Sequence, residues 1–232
     1  RESFAKMMIL LTKYSEDAAA GTPKTLLGMY EQCVHLGVNQ EEILLHLARY
    51  YDKLATHYSE NPNVLKLPGH MELDSAERVR QNRKSLSQER LERQIAYREE
   101  IITKLMEQSI LAFGNSLKWG VRHLEESMPR MLNIWLDLGS KKCTSSNQDS
   151  NASRISISSP PRSISSRIEN TVRFIDTILP RKDNNKGLPS YYFMSALSLL
   201  LSRVHHPHSG VCEKTNKILE QLTIDYPHQM AW

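Results

Sequence analysis

The sequence has 232 residues, 40% of them hydrophobic, and 30 Lys and Arg against 26 Asp and Glu leave a formal charge of +4. That length can bury a sizeable core, and the mild charge, with Lys and Arg mixed among acids as in "RQNRKSLSQERLERQIAYREE", reads as a solvated helix face rather than a nucleic-acid-binding surface. Only 9 Gly and 10 Pro occur, a balance that favours helices joined by turns over hairpins and sheets.

In chain order, residues 2–15 predict a first amphipathic helix with Phe4, Met7, Met8 and Leu11 inward. "GTPKT" is a turn, and residues 24–36 predict a second helix with Leu27, Tyr30, Cys33 and Val34 inward. Asn39 is placed to cap a third, rising through Ile43, Leu47, Tyr50, Tyr51 and Leu54. "ENPNVLKLPGH" is a loop punctuated by Pro62 and Pro68. A long charged helix follows from Asp74. Over 74–100 it is polar nearly all round and projects in part into solvent, and Ile95, Ile102, Leu105, Met106, Ile110, Phe113 and Leu117 then form a stripe.

The stretch "SMPRMLNIWLDLG" at 127–139 reads as one bounded helix. Ser127 is the candidate N-cap and Pro129 sits in the first turn, where a missing amide costs nothing. Met128, Met131, Leu132, Trp135 and Leu136 face one side, and Gly139 is placed to end the helix. Residues 140–166 are rich in serine, contain "SSPP" and lack aromatics, which predicts a disordered insertion. Shortening it over 143–165 is expected to leave stability nearly unchanged. Three more helices follow, in "RIENTVRFIDTILP" with Val172, Ile175, Ile178 and Leu179, in "LPSYYFMSALSLLLSRVHH" and in "GVCEKTNKILEQLTIDY". One-faced helices on short links predict an all-α fold of degenerate helical hairpins stacked as an α-solenoid, with a closed bundle as the alternative. No strict 34-residue period occurs.

Chemistry is scarce. Cys33, Cys143 and Cys212 are far apart without a Cys-x-x-Cys pair, which suits a reducing compartment and argues against a disulfide framework or zinc module. No apolar run approaches the roughly 20 residues of a membrane span. His205, His206 and His208 cluster in "RVHHPHSG", where zinc-ligand spacing is lacking and a polar helix end explains them. Asp52 and Asp137 sit beside aromatic residues on helices, as surface acids or ion-pair partners. Phosphate-cradling Gly loops and a His-Arg-Asp catalytic loop are missing from the sequence. Asn151 begins a glycosylation sequon that matters only on secretion, Ser159 before Pro160 is a candidate phosphorylation site, and Ser87–Gln88 is a common pair. No catalytic, cofactor or metal residue is expected, and the structural packing set is Met128, Pro129, Leu132, Trp135 and Leu136. Both ends read as cut from a longer chain.

"FGNSLKWG" from Phe113, "ESMPRMLNIWLDLG" from Glu126, "LPSYYFMSALSLLLSRVHHPH" from Leu188 and "YPHQMAW" from Tyr226 together resemble the FAT region of ATR-type checkpoint kinases, of the phosphatidylinositol-3-kinase-related family. "LARYYDKL" at 47–54 is also similar to a FAT helix. The resemblance covers most of the chain and departs at 74–100 and in the serine-rich insertion. It implies one FAT-type domain over 1–232, a degenerate tetratricopeptide-like or HEAT-like solenoid that clamps the kinase domain and helps hold a dimer. It further implies a nuclear serine/threonine kinase in the DNA-damage and replication-stress checkpoint, with an ATRIP-like partner, only indirect contact with DNA and no membrane. ATP and Mg²⁺ would belong to a kinase domain outside this segment. A stand-alone helical-repeat adaptor and the FAT segment of another kinase of the superfamily are the competing readings.

Overall fold

A computed structural model describes residues 2–62, 64–65, 83–147, 162–179 and 187–231. Every regular element among them is a helix: α1 (Glu2–Asp17), α2 (Pro23–His35), α3 (Gln40–Glu60), α4 (Arg83–Trp119), α5 (Leu124–Asn147), α6 (Arg162–Ile178), a 3₁₀ helix (Ser190–Ala196), α7 (Leu197–Ser202), α8 (Ser209–Asp225) and α9 (Pro227–Met230). The helices stack in chain order, α1 on α2, α2 on α3, α3 along α4 and α4 along α5, while α6 lies back across α4 and against α8. The buried stripes pack on neighbouring helices, and the architecture is an all-α helical-repeat solenoid.

Local chemistry sets the joints. Pro23 opens α2 with Thr22 as its cap, whose hydroxyl accepts from the Thr25 amide at 3.3 Å. The α2–α3 turn needs Gly37 at φ +73° and Asn39 at φ +50°. Asn39 makes no side-chain cap bond. Gln40 reaches back instead, its Nε2 donating to the Val34 carbonyl at 2.7 Å.

Three clusters form the interior. The smallest joins Ile9, Cys33 and Ile43. A second gathers Leu26, Tyr30, Leu47, Tyr50, Tyr51 and Leu54 around Ile102 and Leu105 of α4. The largest holds α5 against the second half of α4, α6, the 3₁₀ helix and α8. The long helix α4 spans the second and third, so one rigid rod ties the two halves together. Buried Ser109 adds a bond across the seam, its hydroxyl donating to the Ala48 carbonyl at 3.0 Å.

Several expectations are corrected. In α1 the buried face is Ala5, Ile9 and Thr12, while Phe4, Met7 and Leu11 are exposed. Both faces repeat at helical spacing, and periodicity alone does not say which one a neighbour covers. The helix read at 127–139 runs from Leu124 to Asn147, with Pro129 inside it. An extra opening turn forms because His123 supplies the carbonyl that accepts from Ser127 N at 2.9 Å, and Leu124 and Met128 pack on the core. Ser127 is therefore buried rather than capping, its hydroxyl without a partner. Gly139 lies mid-helix for a packing reason given below. Residues 140–147 and 162–166 of the expected insertion are helical, because Ser140 bonds the Leu136 carbonyl and Ile164 packs on the core. A cut over 143–165 would thus remove the end of α5 and the first turn of α6. Residues 148–161, with Asn151 and Ser159, and residues 74–82 lie outside the described residues. The helix read at 188–206 is instead a 3₁₀ turn followed by short α7, with Tyr192, Phe193, Ala196 and Leu200 buried.

Candidate functional site: the packing core around α5

The α5 residues singled out by spacing sit at the centre of the largest cluster. Met128, Met131, Leu132, Trp135 and Leu136 are each 0% exposed, and Pro129 is half-buried beside them. Pro129 withholds the amide that would bond the carbonyl one turn back, a defect worth about 3 kcal/mol in a free helix. The start of α5 is held from outside: Glu41 of α3 accepts from the His123 amide at 3.2 Å, next to the positive end of the helix dipole. Gly120 makes room for that carboxylate, since a Cβ there would collide with Glu41.

Ion pairs lock α3 to α5 in register. Arg130 grips Asp52 through both oxygens at 2.7 and 2.8 Å, and one turn earlier Arg49 grips Glu126 in the same two-pronged way. The charges alternate between the helices, so a slip by one turn would bring like charges together. These groups are partly exposed, and they specify alignment more than they add stability. Asp137 stands 3.5 Å from Arg203, so both acids named from the sequence are ion-pair partners.

Beyond α5, two glycines let helices approach closely. A Cβ on Gly114 would stand 2.5 Å from the Phe174 ring of α6. A Cβ on Gly139 would stand 2.9 Å from both His206 and Val211. Gly139→Ala is expected to cost about 1–3 kcal/mol through overpacking, read as a lower urea midpoint at unchanged slope. A C-terminal glycine role would instead make the loss independent of side-chain size.

The histidine cluster is structural. His206 is buried and its Nε2 donates to the Leu136 carbonyl at 2.9 Å, with Ser140 Oγ 3.0 Å away. Its Nδ1 accepts from the His208 amide at 3.1 Å, which places the proton on Nε2 of the neutral ring. His208 in turn caps α8, accepting from the Val211 amide. The two rings are a corner brace, and His205 points to solvent. Among the described residues no group of three or more His, Cys, Asp or Glu is placed to hold a metal ion, and no helix is long and apolar enough to cross a membrane.

Sequence reasoning missed the ties that join distant elements. Buried Glu107 of α4 accepts from Arg167 at 2.8 Å and from Asn170 at 3.3 Å on α6. Glu16 of α1 accepts from Tyr30 of α2 at 2.7 Å and from Lys53 of α3 at 2.9 Å. Burial and the Glu16 carboxylate push the Tyr30 phenol above its usual range. Lys118 lies 5.2 Å over the Phe174 ring, and burial lowers its ammonium pKa.

Where α1 meets α3, burial, then Lys13 and Arg49, push the His46 imidazole down to about 4. In the unfolded chain it titrates near 6.5, so between those values the unfolded state binds the extra proton. Stability therefore falls as pH drops from about 6.5 towards 4. Glu42, held low mainly by its bond from Lys13, loses its contribution in the same direction on further acidification. His46→Gln is expected to flatten the decline between pH 7 and 5 by on the order of 1 kcal/mol in paired urea titrations.

The packed helices define the class, an all-α helical-repeat region. A family model described as serine/threonine-protein kinase ATR-like, HEAT repeats, matches residues 180–232. Protein kinase rad3 of Schizosaccharomyces pombe is 30% identical over 191 residues, 82% of this chain and 7% of that protein. Serine/threonine-protein kinase ATR of Arabidopsis thaliana is 22% identical over 235 residues, 100% of this chain and 7% of that protein. Serine/threonine-protein kinase MEC1 of Kluyveromyces lactis is 28% identical over 124 residues, 53% of this chain and 4% of that protein. The chain is similar to a region of ATR-type kinases, and it spans less than a tenth of the length of these relatives. No solved structure matches it.

Proposed function

We propose that this chain is a non-catalytic scaffold segment of an ATR-like serine/threonine protein kinase of the DNA-damage and replication-stress checkpoint. The observation that carries the reading is likeness to kinases along most of the chain, joined to an interior built from helix packing. In this reading the stack clamps the kinase domain, supports dimer assembly and works in the nucleus beside an ATRIP-like partner, with DNA reached only through partners. ATP and Mg²⁺ act in a kinase domain elsewhere in the polypeptide, and this segment holds no cofactor.

A stack of hairpins suits that role because each contacts only its neighbours, so force or displacement passes along it as a small change per joint. The test is cross-linking of the full-length polypeptide at exposed lysines of this segment, such as Lys53, Lys104 and Lys217. Links to kinase-domain peptides, together with ATP-dependent phosphorylation of Ser/Thr peptides by the full polypeptide, support the reading. An active polypeptide whose links all stay within the repeats removes the clamp, and absence of kinase activity removes the reading altogether.

A further inference from the structure

The chain between Pro189 and the His206 corner is wound in two ways. Ser190–Ala196 is a 3₁₀ helix of 7 residues and Leu197–Ser202 an α-helix of 6, and the winding changes at Ala196, which stands at φ −117° and ψ 18°. Runs of 3₁₀ beyond about three or four residues are uncommon, since side chains three apart eclipse and the hydrogen bonds are poorer. The residue types here do not call for one. "SYYFMSALSLLLS" holds no Gly, Pro or β-branched residue, and its Met, Ala and Leu favour the α form. The buried residues Tyr192, Phe193, Ala196 and Leu200 have α spacing as well, and would span about 100° of a continuous α-helix.

What departs from α winding is held at its start. The Ser190 hydroxyl donates to Asp225 at the end of α8, and the Leu188 amide donates to the Ile178 carbonyl at 2.9 Å. The Tyr192 amide donates to the Pro189 carbonyl at 3.1 Å. The Ser195 hydroxyl donates to the Tyr192 carbonyl at 2.8 Å, the acceptor that an α-helix would give to the Ala196 amide. In the 3₁₀ winding Ser190, Phe193 and Ala196 stand in one row. Winding the same residues as α, with Ala196 held, turns Ser190 by about 120° out of that row and draws it about 3 Å nearer. A hydrogen bond does not survive a swing of that size, so the bond to Asp225 and the 3₁₀ winding go together.

We propose that residues 190–202 are a two-state element, 3₁₀ over 190–196 while Ser190 is bound to Asp225 and α throughout once that bond is broken. A bond to a carboxylate is strong enough to select between two windings that bury the same residues. The input is displacement of the α8 end, where Asp225 also accepts from Gln221 at 2.8 Å. The output is a shorter link to the corner at which His206 is braced on the Leu136 carbonyl of α5 and Val211 sits beside Gly139.

The test is double electron–electron resonance on the full-length polypeptide, and no kinase activity enters the readout. One nitroxide is carried on Tyr191→p-acetylphenylalanine, at a side chain 47% exposed. It is paired in turn with one on Lys104→p-acetylphenylalanine of α4 and one on Lys217→p-acetylphenylalanine of α8, both at exposed positions. Rewinding turns residue 191 by about 100° about the segment axis, so Ser190→Ala is expected to shift at least one of the two distances by about 5 Å as a narrow peak. Asp225→Ala should give the same shift, and Ser190→Thr, which keeps the hydroxyl, should keep the parent distances. Amides 194–197 should exchange no faster in the shifted variants, because an α-helix bonds them too. Unchanged distances in both Ser190→Ala and Asp225→Ala overturn the proposal. A broadened distribution with faster exchange at 194–197 also overturns it, since the segment then frays instead of rewinding.

Discussion

Trp135→Ala is expected to lower the stability of the chain by about 3–5 kcal/mol, the largest loss for any single truncation in α5. Its ring is 0% exposed and belongs to the cluster that joins α5 to α4, α6, the 3₁₀ helix and α8. Truncation would leave a void that no single neighbour can fill, since the surrounding helices are fixed by Glu41, by the Arg130–Asp52 pair and by the His206 brace. Trp135→Phe separates volume from polarity. The indole Nε1 is buried without a hydrogen-bond partner, so exchanging it for a phenyl edge removes a polar burden along with some volume. The Phe variant is expected to lose less than half of what the Ala variant loses in urea midpoint at constant slope. Equal losses would mean that volume is not the issue, and a wild-type midpoint for the Ala variant would place Trp135 outside the core. In the proposed full-length kinase, the Ala variant should reduce turnover while leaving the KM for ATP unchanged, because in that proposal the nucleotide is bound by a kinase domain elsewhere in the polypeptide.

The reason some of this was legible in the sequence and some was not is that periodicity reports faces, not partners. The α5 stripe was readable because its apolar residues crowd one side and the other side is polar. α1 is ambiguous in the sequence because both its faces carry apolar residues, and the choice between them depends on which neighbour is present. The usual local meaning of Pro129 and Gly139 is a helix end. Both owe their places to distant residues: Pro129 lies within a turn secured by His123 and Glu41, and Gly139 is small because His206 and Val211 press against it. Residues 140–147 show the same limit, since a serine-rich run propagates a helix once its first half is packed. The ion pairs link residues 77 or 78 positions apart, and no local pattern contains that information.

Glu107 gives the second large effect. It is 6% exposed, on the face of α4 that α6 covers, and its carboxylate is shared by Arg167 and Asn170. Glu107→Ala leaves the Arg167 guanidinium half-sunk without a counter-charge, and the Arg167 Nε is already buried without a partner. A fully buried pair broken in this way costs about 3–5 kcal/mol. Because the Arg167 side chain keeps 23% of its exposure, a loss of about 2–4 kcal/mol is expected here. The loss should be local before it is global. Amides around Ile168, Thr171 and Ile175 of α6 should exchange faster, while those of Leu45 and Ala48 in α3 keep their protection. The double variant Glu107→Met/Arg167→Met tests the cause, because an apolar pair of similar length carries no desolvation penalty and should restore most of the stability. If Glu107→Ala is as stable as the parent chain, α6 is held by its apolar stripe alone. If the double variant is no better than the single one, the carboxylate acts by its shape and not by neutralising Arg167. The expected outcome makes α6 a helix whose register on α4 is set by one buried charge, while Ile168, Ile175 and Ile178 supply most of the burial energy.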